Sequence, residues 1–471
     1  MPGDLDFLTD ALPADRIASS DDVRDAHATD WGTDEGTAPD AVVWPTTTEE
    51  VAAVLADATE RGIPVTPYAA GTSLEGNPVP AHGGISLDVT RMDEVIDVRP
   101  ADHQLEVQPG VMGPIIEEAA AEHGLFFPPL PSSGDISTIG GMVANAASGM
   151  QTVKYGEVGD WVLELEAVLS DGSVITAGSK AVKTSSGYNL RDLLVGSEGT
   201  LAVVTGVTLE LAGRPEQIRG GRALFPTLDD ASAAVTDAVQ SGVDVAKIEL
   251  VDADSARMSN AYTGADLPDV PMVFLEFHAE HGIDEEIAFC ESVFEAHDVE
   301  RFELAEEERM EELWRARKDL AFAIRSFDPS LKPLHPGDVT VPISELGQTI
   351  RFAKERAAEE DLLVPCFGHA GDGNVHYSVL VDPDDPDEVE RGEALYGEIV
   401  ERAIDVGGTA TGEHGVALGK REYLIREHGA ATVEAMRSIK RALDPTDTLN
   451  PGKIFPETAE GERVRETDPD E

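Results

Sequence analysis

Apolar and polar residues in this chain follow two rhythms, one of period two and one of period three to four. After Pro39, the strand-like run Ala41–Trp44 leads into Thr46–Thr48 followed by Glu49 and Glu50. Those residues predict a capped amphipathic helix that runs to Arg61 and stops at Gly62. Strands are expected at Ile63–Tyr68, Ile85–Val89, Gln104–Gln108, Val162–Leu169 and Val174–Thr176, with a helix over Pro114–Glu122 and a β-rich end at Leu201–Leu211. Gly213–Arg214–Pro215 then breaks the pattern and marks a domain boundary. Beyond it, helices are predicted near Asp229–Gln240, Asp284–Ala296, Glu306–Phe327, Ser344–Glu359 and Asp387–Asp405. Strands are predicted at Lys247–Val251 and Met272–His278, with the last ones flanking residues 366–381. Interleaved strands and helices in both halves give the α+β class. The expected divisions are an acidic, turn-rich segment over 1–37 with a short helix near Asp21–Ala28, domains over 38–213 and 214–456, and an acidic disordered tail over 457–471.

Charge narrows the function classes. Lys and Arg number 35 against 91 Asp and Glu, a formal charge of −56 on 471 residues. Such a surface repels phosphate, so nucleic acid and anionic lipid are not expected partners. Only 10 of the basic residues are lysine. An acidic, lysine-poor surface suits concentrated salt, where the Debye length falls to about 3 Å, and a halophilic origin is expected. Cys290 and Cys366 are too few for a disulfide framework or a cysteine-based metal site. The first ten residues are acidic and lack an apolar core, and no apolar run reaches the roughly 18 residues of a bilayer-spanning helix. A cytoplasmic protein is expected, with peripheral membrane association left open.

The chain contains neither GxGxxG nor GxxxxGK[ST]. Instead, Pro67–Tyr68–Ala69–Ala70–Gly71–Thr72–Ser73–Leu74–Glu75–Gly76–Asn77 follows a strand directly. Small residues there let the backbone approach a ligand, and consecutive N–H groups with Thr and Ser hydroxyls form an anion nest. Pro128–Gly134 leads into Thr138–Asn145 and on to Ser148, Gly149, Lys154, Tyr155 and Gly156. That run is too rich in Gly, Ala and Ser to fill a core and makes room for a large flat ligand. Gly196–Leu201 is a turn that enters a strand.

A second group of residues carries metal and acid–base chemistry. In Cys366–His376, two imidazoles stand seven residues apart across Gly371–Asp372–Gly373. The following alternation places His376 on the strand face opposite Val375 and Tyr377. If the glycine bend reverses the chain, His369 converges with it. Thr409–Gly415 adds Glu413 and His414. The spacing predicts a divalent-metal site of His369, His376 and Glu413, with His414 beside it as a base. Such a donor set accepts zinc, manganese or iron.

These segments, in this order, resemble the FAD-binding flavoproteins of the vanillyl-alcohol-oxidase type, and specifically the group of cytochrome-linked D-lactate dehydrogenases and glycolate oxidase FAD subunits. The resemblance runs from about Pro39 to Phe455. It implies a two-subdomain FAD-binding domain over 38–213, then an α+β substrate (cap) domain whose C-terminal segment returns to the flavin. The cofactor-binding positions it implies are Ala70, Gly71, Thr72, Ser73, Leu74, Asn77, Ser132, Thr138, Gly141, Asn145, Ser148, Gly149, Glu198, Gly199 and Val204. Covalently flavinylated relatives often carry a histidine in the first loop. None lies between Pro67 and Asn77, so non-covalent FAD is expected.

The same resemblance implies that His369, His376 and Glu413 bind the metal, that His414 is the base and that Arg317 grips the substrate carboxylate. Relatives that act on 2-hydroxyglutarate tend to carry a Thr one turn after that arginine and a Lys just before the aspartate matching Asp338. Here Ala321 and Pro336–Gly337 stand in those places, and Lys332 lies further back, which favours a monocarboxylate. The implied reaction oxidises a D-2-hydroxy acid, D-lactate foremost, with hydride passing to flavin N5. No iron–sulfur pattern or CxxCH is present, so electrons would leave to an external cytochrome, quinone or electron-transfer protein. Two other readings are a glycolate oxidase FAD subunit and, more remotely, a metal-dependent hydrolase.

Overall fold

A computed structural model describes residues 5–33 and 36–456, and the expected tail over 457–471 lies outside them. Compactness divides the chain into two units. The first comprises residues 1–148, 157–214 and 413–471, and the second residues 149–156 and 215–412.

The first unit holds two sheets. In the smaller, Ala41–Val43 and Val65–Tyr68 flank Ile85–Asp88 in parallel. The crossover is the helix Thr48–Arg61, which buries Val51, Val54, Leu55 and Ala58. As the sequence predicts, Thr47 caps it by accepting from the Glu50 N–H, and Gly62 ends it. The segment before Pro39 belongs to this unit. Leu5, Phe7, Leu8 and Leu12 are buried in the core of that helix and sheet, and Ile17–Ala18 pairs antiparallel with Val42–Val43. Its acidic residues mask a few apolar anchors. The larger sheet runs Val95–Arg99, Gln104–Val107, Val203–Glu210, Val162–Val168, Val174–Gly178, all antiparallel.

The second unit is built on a seven-stranded antiparallel sheet. From edge to edge it runs Arg301–Leu304, Gln217–Leu224, Met272–Ala279, Lys247–Val251, Cys366–His369, Asn374–Tyr377, Gly337–Thr340. The helix expected over Glu306–Phe327 is two, Glu307–Lys318 and Leu320–Ser326, separated at Asp319. The break lets Leu313 and Ala316 on one helix and Leu320, Ala323 and Ile324 on the other share one core with Phe274 and Phe367. Cross-strand pairing sorts the sheet's side chains by face. Lys247, Glu249, Glu276, His278, Asp338, His369, Asn374 and His376 share one face, while Ile248, Leu250, Leu275, Phe277, Val339, Val375 and Tyr377 share the other. Among the described residues, no helix is long and apolar enough to cross a membrane.

Candidate functional site

Within the first unit, the loop after Val65–Tyr68 is tied to the Gly/Ser-rich run. Thr72 Oγ1 lies 2.9 Å from Ser137 Oγ, which donates to Ser133 Oγ at 3.1 Å in the turn that holds Ser132. The Ser73 hydroxyl does not face an open nest, because it donates to Asp30 Oδ2, which also accepts from the Gly76 N–H. Burial raises the Asp30 carboxyl above its usual range despite these bonds. Ala70, Gly71 and Leu74 lie in the same half-buried loop. Thr138 caps the helix Ile139–Ala144 by accepting from the Gly141 N–H, and Val204 sits on the strand Val203–Glu210. Gly149 falls in the second unit, where its N–H donates to Thr152 Oγ1.

A dense polar knot then joins four of the expected cofactor positions, Asn77, Asn145, Ser148 and Glu198, to the segment that begins at Glu413. Asn77 Nδ2 reaches Asn145 Oδ1 at 2.9 Å and Glu198 Oε2 at 2.6 Å. Asn145 Nδ2 donates to the Glu413 carbonyl at 2.8 Å, and the Ser148 hydroxyl donates to Glu413 Oε2 at 3.3 Å. Glu198 accepts the N–H groups of Val416 and Ala417 at 2.9 and 3.0 Å. Burial raises its carboxyl, against the pull of those amides. Glu198 therefore clamps the C-terminal segment with its side chain. His414 Nδ1 lies 3.8 Å from Glu75 Oε1, which Lys420 Nζ approaches to 3.4 Å.

The cradle fits FAD on two observations. Its walls are small residues and capped backbone, and the buried Asn77 Oδ1 has no protein hydrogen-bond partner. Gly415 shows how tightly the knot is built. Its φ is +85°, and a Cβ there would lie 2.8 Å from Asn77 Nδ2 and 2.9 Å from Asn145 Oδ1. Gly415→Ala is expected to cost ~1–3 kcal/mol in urea unfolding of the apoprotein, from backbone strain plus overpacking. A midpoint equal to the wild type would show that the knot relaxes freely.

In the second unit, the polar sheet face carries the expected imidazoles. Ala370–Asp372 forms a single 3-10 turn, and Gly373, at φ +81°, returns the chain so that a Cβ there would meet the Val341 carbonyl at 2.1 Å. The reversal sets the His369 and His376 rings edge to face, 5.1 Å between centroids. Glu249 Oε1 accepts from His369 Nδ1 at 2.7 Å. Since a carboxylate only accepts, the His369 proton sits on Nδ1 and Nε2 is the unprotonated ring nitrogen, the form in which an imidazole ligates a metal. The donor chemistry thus suits a divalent ion. Glu249 Oε2 accepts from Arg317 Nε at 2.8 Å, with Nη2 at 2.6 Å, and the guanidinium lies over the Phe367 ring. Asp338, opposite His376 in register, accepts from Asn374 Nδ2, the Thr411 hydroxyl and the Gly412 N–H. The next residue along the chain is Glu413.

Several residues here escaped the sequence reading. Glu249 is one, and Glu75 beside His414 is another. Lys453 Nζ donates to the carbonyls of Gly76, Asn77 and Val79, holding the end of the first loop from behind. Burial pushes its ammonium down to about 7, while the charge of Glu198 acts in the opposite direction. In the second unit, Tyr155 Oη lies 2.9 Å from His278 Nδ1, and His278 Nε2 lies 2.9 Å from Glu276 Oε1. Burial raises the Tyr155 hydroxyl to about 12. Burial also acts to raise the Glu276 carboxyl, but His278 and Lys247 outweigh it and hold the group below its usual range. A polar strand face with this many buried charges was the available signal, and it needed the sheet register to be read.

Comparison with known proteins gives one answer for both units. Residues 39–178 match the family model described as an FAD binding domain, and residues 214–454 match FAD linked oxidases, C-terminal domain. The Arabidopsis thaliana protein named D-lactate dehydrogenase [cytochrome], mitochondrial, is 36% identical over 89% of this chain and 74% of its own length. Glycolate oxidase subunit GlcD of Bacillus subtilis is 35% identical over 91% of each chain. The solved structure of p-cresol methylhydroxylase with substrate bound superposes with a TM-score of 0.79 at 18% identity over 96% of each chain, a likeness of fold, and that fold is the vanillyl-alcohol-oxidase type. With the two family domains in sequence and relatives at this identity along most of its length, the chain belongs to the FAD-linked oxidases.

Proposed function

We propose that this chain is an FAD-dependent dehydrogenase that oxidises a D-2-hydroxy monocarboxylate, D-lactate first, to the 2-oxo acid and delivers electrons to an external acceptor. The observation that carries the reading is the buried Arg317, ion-paired to a Glu249 carboxylate whose other oxygen holds His369, on the sheet face that carries both imidazoles. An arginine held this way offers further N–H groups to a carboxylate. His369, His376 and Glu413 would hold a divalent metal, and the cradle around Gly71, Thr138 and Asn77 a non-covalent FAD. When bound, FAD accepts the C2 hydrogen with its two electrons, and the metal polarises the C2 hydroxyl. His414 removes the hydroxyl proton as the C2–O bond becomes a carbonyl. Arg317 fixes the substrate by its carboxylate, so that C2 is presented in one orientation.

Selectivity for a monocarboxylate is supported by what surrounds Arg317 and Asp338. Ala321 and Lys332 are both exposed, and Asp338 is fully engaged by Asn374, Thr411 and Gly412. A second carboxylate on the substrate would find no buried cation among these positions. Family membership favours redox chemistry over metal-dependent hydrolysis. The cytochrome in the plant relative's name and the absence of a CxxCH in this chain support an external acceptor.

Anaerobic mixing of the FAD-loaded protein with a panel of D- and L-2-hydroxy acids tests the reading. D-lactate should bleach the flavin at least ten times faster than L-lactate or D-2-hydroxyglutarate, and chelator should slow bleaching. Faster bleaching by glycolate would move the chain to the glycolate oxidase reading. Failure of every 2-hydroxy acid to bleach it would remove the proposal.

A further inference from the structure

We propose that Glu249 is the positioning residue that couples substrate and metal, because one buried carboxylate fixes both Arg317 and His369. The inference rests on the reading above, in which Arg317 takes the substrate carboxylate and His369 a metal.

Glu249 stands mid-strand in Lys247–Val251, directly opposite His369 on one side and Phe274 on the other, and is 0% exposed. A carboxylate so placed is tolerated only if its oxygens are satisfied by charged or strong donors. The partners divide cleanly between the two oxygens: Oε1 takes His369 Nδ1 at 2.7 Å, and Oε2 takes Arg317 Nε at 2.8 Å with Nη2 at 2.6 Å.

Each contact has a consequence for the proposed chemistry. At His369, the acceptor-only oxygen fixes the tautomer and the ring plane, so that Nε2 is the nitrogen without a proton. At Arg317, Nε is held by a hydrogen bond, Nη2 lies in ion-pair contact with the same oxygen, and the guanidinium is stacked 4.7 Å from the Phe367 centroid. Its remaining donors are thereby fixed in direction before a substrate arrives. Phe367 is two residues from His369 on the same strand and face, and it lies opposite His376 in register. Rotating Glu249 therefore disturbs the arginine and the imidazole in one movement. A purely structural carboxylate would stabilise the fold without linking these two affinities.

Glu249→Gln tests this in the full-length, FAD-loaded protein. Glutamine offers one acceptor and one NH2 group, so a donor must face either His369 Nδ1 or the arginine. The affinity for Mn2+ or Zn2+, read by competition with a chromogenic chelator, should fall about 10–100-fold. KM for D-lactate should rise at least tenfold, with flavin content and visible spectrum unchanged. Arg317→Met should raise KM and leave metal affinity within about threefold of wild type, which separates the two arms. If Glu249→Gln does not fold, Glu249→Asp keeps the charge but shortens the reach, and both constants should shift in the same directions. Metal affinity and KM that both stay at wild-type values, or a shift in one alone, would overturn the coupling by Glu249. Wild-type protein that binds neither metal, together with Arg317→Met at unchanged KM, would instead sink the underlying reading.

Discussion

His414→Ala is expected to keep its FAD and lose substrate-driven reduction, with the anaerobic bleaching rate falling about 10²–10⁴-fold, the contribution typical of a positioned general base. The two halves of that expectation have separate causes. FAD should be retained because the segment is held through its backbone: the Glu413 carbonyl accepts from Asn145 Nδ2, and the amides of Val416 and Ala417 donate to Glu198. Removing an imidazole leaves all of these in place. Reduction should be lost because Glu75, 3.8 Å from His414, is drawn towards Lys420 and buried, so it cannot substitute as a mobile base. Added imidazole should restore part of the rate if the cavity left behind admits it. Near-normal bleaching by the variant would remove the base assignment, and loss of FAD would show that the side chain itself supports the cradle.

Elements bounded by local chemistry were legible in the sequence. The helix Thr48–Arg61 has a threonine cap, acidic residues in its first turn and a glycine stop, all independent of its neighbours. Elements defined by distant partners were not. Val95–Arg99 is an edge strand with Ile96 exposed, so its apolar positions do not alternate towards a core. Gln217–Leu224 carries two consecutive glycines, which contribute no side chain to a strand pattern, yet a Cβ at Gly221 would lie 1.9 Å from the Glu303 carbonyl, so close pairing requires glycine there. The helix Ala430–Leu443 buries a lysine, Lys440, whose ammonium donates to the carbonyls of Thr200 and Leu449, so its buried stripe does not read as apolar.

The site divides along the same line. His369, His376, Glu413 and His414 stand in short glycine-bounded motifs that announce chemistry by composition. The expected reversal at Gly373 follows from a glycine in the left-handed region, and it brings the two imidazoles together as the spacing predicts. Glu249 gave no such sign. In Lys247–Ile248–Glu249–Leu250–Val251 it reads as the polar position of a half-exposed strand. Only pairing with Cys366–His369, more than a hundred residues on, turns it into a buried anchor. Lys453 and Glu198 are hidden for the same reason, because each acts on backbone from remote parts of the chain.

Removing salt should have the largest effect on the whole molecule. We propose that the excess of 91 acidic over 35 basic residues is an adaptation to concentrated salt, and that dialysis to roughly 0.01 M KCl unfolds the protein and releases FAD. At that ionic strength the Debye length is about 30 Å, so charges across a whole unit repel, whereas at 1 M it is about 3 Å and only neighbours interact. The repulsion is built into individual elements. The helix Ile283–Glu295 opens with Asp284, Glu285 and Glu286 and continues with Glu291 and Glu295; it contains no basic residue of its own, and Arg219 approaches only Asp284, at 3.7 Å. Pro386–Asp405 sets Glu398, Glu401 and Asp405 at successive helical turns, and like-charge pairs at that spacing cost about 0.2–0.5 kcal/mol each. Arginines already serve several acids each, as Arg356 does for Glu359, Glu360 and Glu398, so little positive charge remains to offset the excess. Over the whole surface the repulsion at low salt should exceed a stability that is typically ~5–15 kcal/mol. Far-UV circular dichroism and flavin fluorescence across a KCl series would follow the transition. Sucrose at matched osmolality should not rescue the fold if screening is the cause. A protein that keeps its spectrum and its FAD in dilute buffer would show that the acidic surface serves some end other than tolerance of salt.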